Sequence, residues 1–222
     1  MALPLHLPAP SREALAPAPS RLAQLALLHD EARETALLSN LLGRTAYAAG
    51  GLAVAALATV LLARGSMPLA EPAIWLVLVL IGVGAMARSY ARTIRQPFER
   101  GPLREFAYDL NAISVYAGFA WGAGAFLALG PQTAPATLTI FATVVPAFMA
   151  ATLRAREISL GFLAPVAGLG AFAAVLRPLP EGPLAAAFVL IACACVGGAI
   201  FWMNRRESGF SPPAALSRIF AA

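Results

Sequence analysis

Long apolar segments, separated by short polar stretches, run through most of the chain. Six of them are near the length that a membrane span needs: residues 45–63, 72–90, 110–130, 135–153, 158–176 and 184–203. A hydrocarbon core about 30 Å thick is crossed by roughly 20 helical residues. Backbone groups in lipid must be hydrogen-bonded within the segment, which favours helices. The pattern therefore predicts an all-α, polytopic membrane protein whose six transmembrane helices form a bundle over residues 45–204.

The segments outside this bundle differ in character. Residues 21–44 alternate apolar and charged positions with helical spacing, which predicts an amphipathic cytoplasmic or interfacial helix. Such a helix lies along the membrane surface or packs on a partner helix, and then runs into the first span. Residues 1–20 are rich in proline and alanine and lack the features of a signal peptide, so we expect a disordered, uncleaved tail. Residues 205–222 are expected to form a short cytoplasmic tail.

The composition agrees with a membrane protein. Hydrophobic residues make up 59% of the chain and charged residues 12%, whereas soluble domains carry roughly a quarter charged residues. The net charge of +5 comes from arginine, since the chain contains no lysine. Because most arginines flank apolar segments, we expect the lipid bilayer as their partner and no nucleic acid.

The distribution of arginine predicts the orientation. The stretch RSYARTIRQPFERGPLREFAYD, residues 88–109, is the longest polar break between apolar segments, and we interpret it as a basic loop. Over six spans, fourteen of the sixteen arginines fall on one side, and only Arg64 and Arg177 fall on the other. The positive-inside rule then places both termini in the cytoplasm, here of a bacterial inner membrane. The residues predicted to meet the membrane interface or a partner are Arg88, Arg92, Arg95, Arg100, Arg104, Arg154, Arg156, Arg205 and Arg206.

Several residues inside the spans predict helix packing. Gly118 and Gly122 form a GxxxG pattern, which permits two helices to approach closely. Trp121 lies between them near the expected midplane, either as a packing residue or as the wall of a ligand pocket, whereas Trp75 is expected at the outer interface. Prolines within spans favour kinks. The predicted packing residues are Gly118, Trp121, Gly122, Gly124, Pro146 and Pro165.

Recognisable catalytic motifs are absent from the sequence. It contains no Walker loop, GxSxG, HExxH or metal-spaced Cys/His cluster. The two histidines, His6 and His29, lie outside the spans and cannot ligate a haem within the membrane. No acidic or basic residue lies deep in a predicted span, which argues against a proton-coupled pump. We therefore expect a protein that is not an enzyme and has no cofactor.

Three parts of the chain carry a resemblance to a known family. They are LALLHDEARETALLSNLLGRTAYAAGGLAVAALATVLL, AISVYAGFAWGAGAFLALGP and FLAPVAGLGAFAAVLRPLPEGPLAAAFVLIACACVGGAIFWMNRR, and the basic loop after the second span belongs to the same resemblance. Together they resemble the six-helix N-terminal membrane domain of the MASE-like type, which precedes GGDEF diguanylate cyclases and histidine kinases. The resemblance implies a sensory input domain that dimerises and signals to a cytoplasmic output. After Arg206 only ESGFSPPAALSRIFAA follows. We therefore expect either an input domain that signals through a separate protein or a scaffold reused as a structural subunit of a membrane complex.

Two functions from different classes follow from these observations, and a small transporter is a third. The first is a sensory or regulatory domain that acts through a separate cytoplasmic partner. The second is an accessory subunit whose glycine- and alanine-rich faces pack against other membrane proteins. The expected partners are thus the bilayer, other membrane proteins or a second copy, and a cytoplasmic signalling protein.

Overall fold

The structure, a computed structural model, describes residues 21–63, 70–128, 135–176 and 182–207, together with Pro68. These residues form six long helices and one short one. The helices are α1 (Arg21–Ala63), α2 (Ala70–Thr93), α3 (Arg100–Ala123), α4 (Ala125–Ala128), α5 (Pro135–Leu153), α6 (Arg156–Leu176) and α7 (Gly182–Glu207). The predicted all-α class is confirmed. The predicted tail of residues 1–20 and residues 208–222 of the other tail lie outside the described residues.

Four of the described helices are long and apolar enough to cross a membrane: Leu27–Leu61, Ala70–Thr93, Arg156–Leu176 and Gly182–Met203. They overlap the first, second, fifth and sixth predicted spans, although the first begins at Leu27 rather than near residue 45, and they indicate a membrane protein. The predicted third and fourth spans are not among the four. Helix α3 begins with a charged stretch. In α5, the apolar part whose side chains the structure describes is short, Phe141–Leu153.

The long helices alternate in direction, as contacts at their two ends show. Trp75 on α2 bonds to Ala120 on α3, while Arg92 pairs with Glu105 at the opposite ends of the same helices, so α2 and α3 are antiparallel. Helices α3 and α6 are parallel, because Gly118 lies beside Phe162 and Gly122 beside Val166. The beginnings of α3 and α6 and the end of α2 therefore share one end of the molecule, which we call the basic end.

Helix α1 joins two predicted elements, the amphipathic helix of residues 21–44 and the span of residues 45–63. It is helical without interruption from Arg21 to Ala63, 43 residues, which is about 65 Å at 1.5 Å per residue. That length is about twice what the hydrocarbon core requires. Residues 45–63 contain no charged side chain, and the charged residues 21–44 continue directly into them in the same helix. We call residues 21–44 the α1 extension.

The predicted basic loop is shorter than residues 88–109. Helix α2 continues to Thr93 and α3 begins at Arg100, so only residues 94–99 connect them. The reason is visible in the hydrogen bonding: Ile94 N still bonds to Tyr90 O in the α2 pattern, and Leu103 N already bonds to Glu99 O in the α3 pattern. Pro97 lies between these two patterns and cannot donate a backbone hydrogen bond. The arginines of this stretch thus project mostly from helix ends rather than from a loop.

Helix α3 lies at the centre of the bundle, where it contacts α1, α2 and α6. Its glycines make the closest of these approaches. A Cβ atom built on Gly118 would collide with Phe162 O, and one on Gly122 would lie 3.1 Å from Pro165 O. At Gly118 only a residue without a side chain fits, whereas a side chain at Gly122 would require α6 to shift by a few tenths of an ångström. The GxxxG pattern therefore places α6 against α3 within one chain.

Candidate functional site

A group of charged side chains connects the α1 extension to the beginning of α3. Glu34 accepts hydrogen bonds from both Arg100 and Arg104, and Glu31 accepts one from Arg100 at 2.8 Å. The two groups are far apart in sequence, with 70 positions between Glu34 and Arg104. Multidentate pairing of guanidinium with carboxylate groups is geometrically specific and stronger than single contacts. We call the four residues the clamp, because they fix the α1 extension to the basic end.

The clamp holds Glu34 in its ionised form. Burial alone would raise the pKa of the Glu34 carboxyl, but hydrogen bonds and charge from Arg104 and Arg100 outweigh burial and lower that pKa. The side chain of Glu34 is 24% exposed, less than its partners Arg100 at 38% and Arg104 at 47%. Because screening by water weakens exposed ion pairs, Glu34 is the residue on which the clamp depends most.

Beyond the clamp the α1 extension is largely solvent-accessible. Leu27, Leu28 and Leu37 are 60%, 62% and 54% exposed. An isolated helix of this length gains little stability from its own hydrogen bonds. Two features support this one: continuity with the membrane span and the clamp. The exposed leucines are separate apolar positions around the helix that a partner can cover.

The arginines predicted to meet the membrane or a partner have different environments. Arg92, Arg100 and Arg104 are paired with glutamates of the same chain. The guanidinium of Arg156 lies 4.5 Å from the centre of the Phe201 ring, a cation–π contact between α6 and α7. Arg154 follows α5 with a positive φ of 50°, a conformation common just after a helix. The side chains of Arg205 and Arg206 lie outside the described residues.

Two tryptophans and a phenylalanine form a buried cluster at the opposite end of the bundle. The ring centres of Trp75 and Trp121 are 5.4 Å apart, and Trp121 stacks on Phe141 at 4.7 Å. Trp75, expected at the outer interface, is only 3% exposed. Trp121 lies two residues before the end of α3, level with Trp75. Its Nε1 donates to Phe141 O at 3.1 Å, so its surroundings are those of a packing residue.

This cluster completes the end of α3. Gly124 N bonds to Trp121 O instead of the carbonyl four residues back, which leaves Ala120 O without its helical partner. Trp75 Nε1 donates to Ala120 O at 2.8 Å and satisfies it. A Cβ on Gly124 would lie 2.6 Å from the same Nε1 atom, so glycine is required at that position.

The two predicted proline sites lie within uninterrupted helices. Pro146 has no N–H for Ala142 O, four residues earlier. The thiol of Cys193 on α7 lies 3.7 Å from that carbonyl oxygen and donates to it. Pro165 lies on the face of α6 that receives Gly122. Pro146 therefore leaves the carbonyl of Ala142 available to a donor on α7, and Pro165 lies where α6 packs against α3.

An apolar groove of about 240 Å³ lies between α1 and α2. Its lining consists mainly of small side chains, Ala46, Ala49, Gly50 and Ala87, with Met86 and Tyr90. Among the residues that the structure describes, no group of three or more His, Cys, Asp or Glu side chains could hold a metal ion. The groove offers shape and apolar contact rather than catalytic groups.

Sequence reasoning missed the clamp and the tryptophan contact. The acidic residues of the α1 extension and the arginines after α2 were visible, but their pairing requires the fold. A usable signal was the spacing of Glu31 with Glu34 and of Arg100 with Arg104, because residues three or four apart share one helix face. No family model, curated protein or solved structure matches the chain.

Proposed function

We propose that the protein is a non-enzymatic membrane regulator that passes a change in its helical bundle to a separate cytoplasmic partner. The observation that carries the proposal is the continuity of α1 from Arg21 to Ala63. A helix without a break moves as one body, so a shift or rotation of its membrane part also moves the α1 extension.

The clamp adds a second mechanical connection. Helix α3 contacts α1, α2 and α6 and bears Arg100 and Arg104 at its beginning. A rearrangement of α3 within the bundle would therefore pull on Glu34 as well as on the span of α1. Exposed leucines on the α1 extension provide apolar contacts through which a partner would detect the movement.

For location, we infer a bacterial inner membrane crossed six times, with the basic end and both termini in the cytoplasm. Arginines accumulate at the basic end, and the positive-inside rule favours the cytoplasm for that end. The resemblance to MASE-like input domains supports the same orientation and the same type of function, including a separate output protein and a homodimer.

A second candidate function is an accessory subunit of a membrane complex. It is favoured by the groove between α1 and α2 and by the open glycine in its lining, since a Cβ on Gly50 would have no atom within 4 Å. Small residues on an outer helix face permit close packing with another helix. In this function the contact lies within the membrane, and the α1 extension contributes little.

Purification of the tagged protein from native membranes distinguishes the two functions. The variants are a deletion of residues 21–40 and Gly50→Leu, which fills open space on the membrane part of α1. A regulator loses its co-purifying cytoplasmic partner on the deletion and keeps it with Gly50→Leu. An accessory subunit shows the reverse, losing its membrane partners only with Gly50→Leu. Recovery of the same partners with both variants would contradict both functions.

A further inference from the structure

Two arginines at the end of α2 differ from their neighbours in having no acidic partner. Arg88 and Arg95 are exposed and form no ion pair within the part of the chain that the structure describes. They are seven residues apart, about two helical turns; Ile94 N keeps the α2 hydrogen-bond pattern, and Arg95 N closes a tighter turn on Arg92 O. This spacing places both arginines on one stripe of the helix surface. Arg92, between them, lies on the same stripe but is paired with Glu105.

The connection that follows α2 exposes apolar side chains beside these cations. Ile94 is 47% exposed and Phe98 is 60% exposed. Exposed apolar residues at the charged end of a membrane helix are typical of a segment that sits at the boundary of headgroups and acyl chains. The side of α2 above it is also apolar and exposed, with Val77 at 56% and Ile81 at 53%.

We propose that this surface, made of Arg88, Ile94, Arg95 and Phe98, binds the headgroup of an anionic phospholipid. The two guanidinium groups meet the phosphate, Ile94 and Phe98 enter the acyl boundary, and the acyl chains lie along the apolar side of α2. Arg88 lies about 7.5 Å before the end of α2 and reaches the headgroup layer with its long side chain. The attraction of arginine to an anionic leaflet supplies the preference over zwitterionic lipids.

Charge complementarity also identifies which arginines do not take part. Arg92, Arg100 and Arg104 are already neutralised by Glu105, Glu31 and Glu34. Glu99 is the one acidic residue of the connection 94–99, and its side chain makes no capping hydrogen bond to α3. Its charge opposes an anionic headgroup, so its removal strengthens binding.

The test uses the full chain in nanodiscs of phosphatidylcholine with and without phosphatidylglycerol. Native mass spectrometry measures how much phosphatidylglycerol each protein retains. Each arginine contributes about fivefold, so Arg88→Gln with Arg95→Gln weakens retention roughly thirtyfold. Glu99→Gln increases retention. The matched control is Arg92→Gln, which removes the same charge from the same helix and changes retention by less than about threefold, the effect of an exposed, paired charge.

Three results would overturn the proposal. The first is equal loss of phosphatidylglycerol from Arg92→Gln and from the Arg88/Arg95 variant, since that is an effect of net charge alone. The second is full competition by inorganic phosphate, which identifies an anion site without lipid specificity. The third is unchanged lipid retention together with loss of an acidic protein from native membranes, which assigns the surface to that protein.

An independent measurement tests whether residues 94–99, the connection between α2 and α3, insert into the membrane. Phe98→Trp introduces a tryptophan whose fluorescence is compared with that of the wild type in nanodiscs with brominated acyl chains. Quenching of the added signal supports the proposal. An added signal that brominated lipid leaves unchanged places residue 98 in water and overturns it.

Discussion

At the residue scale, small side chains and unusual donors determine how closely the helices approach. Gly118 admits the backbone of α6, and Gly124 admits the indole of Trp75. Trp75 and Cys193 each donate to a carbonyl that its own helix leaves unsatisfied, Ala120 O and Ala142 O. In lipid such carbonyls have no water from which to accept a hydrogen bond. Each of the two donors therefore contributes more to the stability of the bundle than it would in water.

The glycines predict opposite effects of one substitution at two positions. Gly118→Leu should lower the free energy of unfolding by about 3 kcal/mol, because the new side chain meets the Phe162 backbone. Gly50→Leu should leave it unchanged or raise it by about 0.5 kcal/mol, since its site is open and leucine favours helix. Thermal unfolding of both variants in one detergent measures the difference. Equal stability would show that α3 and α6 are not in contact.

Cys193 and Cys195 offer a comparison within one helix turn. Cys193 is buried and donates to Ala142 O, whereas Cys195 is exposed. Cys193→Ala should cost about 1 kcal/mol more than Cys195→Ala, and Cys193→Ser should restore much of the loss because serine also donates. Chemical unfolding followed by circular dichroism provides the values. Identical losses for the two alanine variants would contradict the role assigned to the thiol.

At the element scale, the clamp and the continuity of α1 distinguish this bundle from a simple set of spans. The pairing of Glu34 with Arg100 and Arg104 connects two parallel helices outside the apolar part of the protein. Its strength depends on the charge of one carboxylate, which makes it sensitive to acid.

The pH dependence of the clamp has a definite sign. The pKa of Glu34 is lowered in the folded protein, so its contribution is complete above the ordinary glutamate pKa of 4.5 and is lost as the pH falls through the lowered value. Glu34→Gln should therefore cost about 1 kcal/mol at neutral pH and nothing at strongly acidic pH. Unfolding of the two proteins is compared across this range. A difference that grows on acidification would contradict the assignment.

Much of the element pattern could be predicted from the sequence, since apolar runs and proline-rich breaks mark most helix limits. The beginning of α3 could not, because Arg100, Arg104 and Glu105 make that stretch polar while their tertiary ion pairs hold it in a helix. For the same reason the α1 extension and the first span were separated: their composition differs, but their backbone hydrogen bonding does not.

At the scale of the whole molecule, the alternating helices collect the arginines of α2, α3 and α6 at one end and the tryptophan cluster at the other. The accumulation of arginine at one end could be predicted from charge alone. The meeting of Trp75 and Trp121 could not, because contacts between helices depend on register and rotation. Labelling of single cysteines with a membrane-impermeant reagent in intact cells measures orientation.

Orientation has a clear expected outcome. In a variant with Cys193→Ser and Cys195→Ser, single cysteines are introduced near the two termini as Arg21→Cys and Ser208→Cys. Both should be protected in intact cells and labelled after lysis, since the basic end is proposed to be cytoplasmic. Gln132→Cys, between the third and fourth predicted spans, should be labelled in intact cells. Labelling of the termini before lysis would reverse the proposed orientation.

The measurement that tests the account most directly is the distance between the α1 extension and the membrane part of α1. Spin labels at Gln24 and Leu57, both exposed, are introduced in the same variant without native cysteines and reconstituted in nanodiscs. A continuous helix places the two backbone positions about 50 Å apart with a narrow distribution. Glu34→Arg, which opposes Arg100 and Arg104, should broaden the distribution only slightly, because continuity and not the clamp sets the length. A broad or much shorter distribution in the protein with an intact clamp would require a hinge and would contradict a regulator that acts through α1.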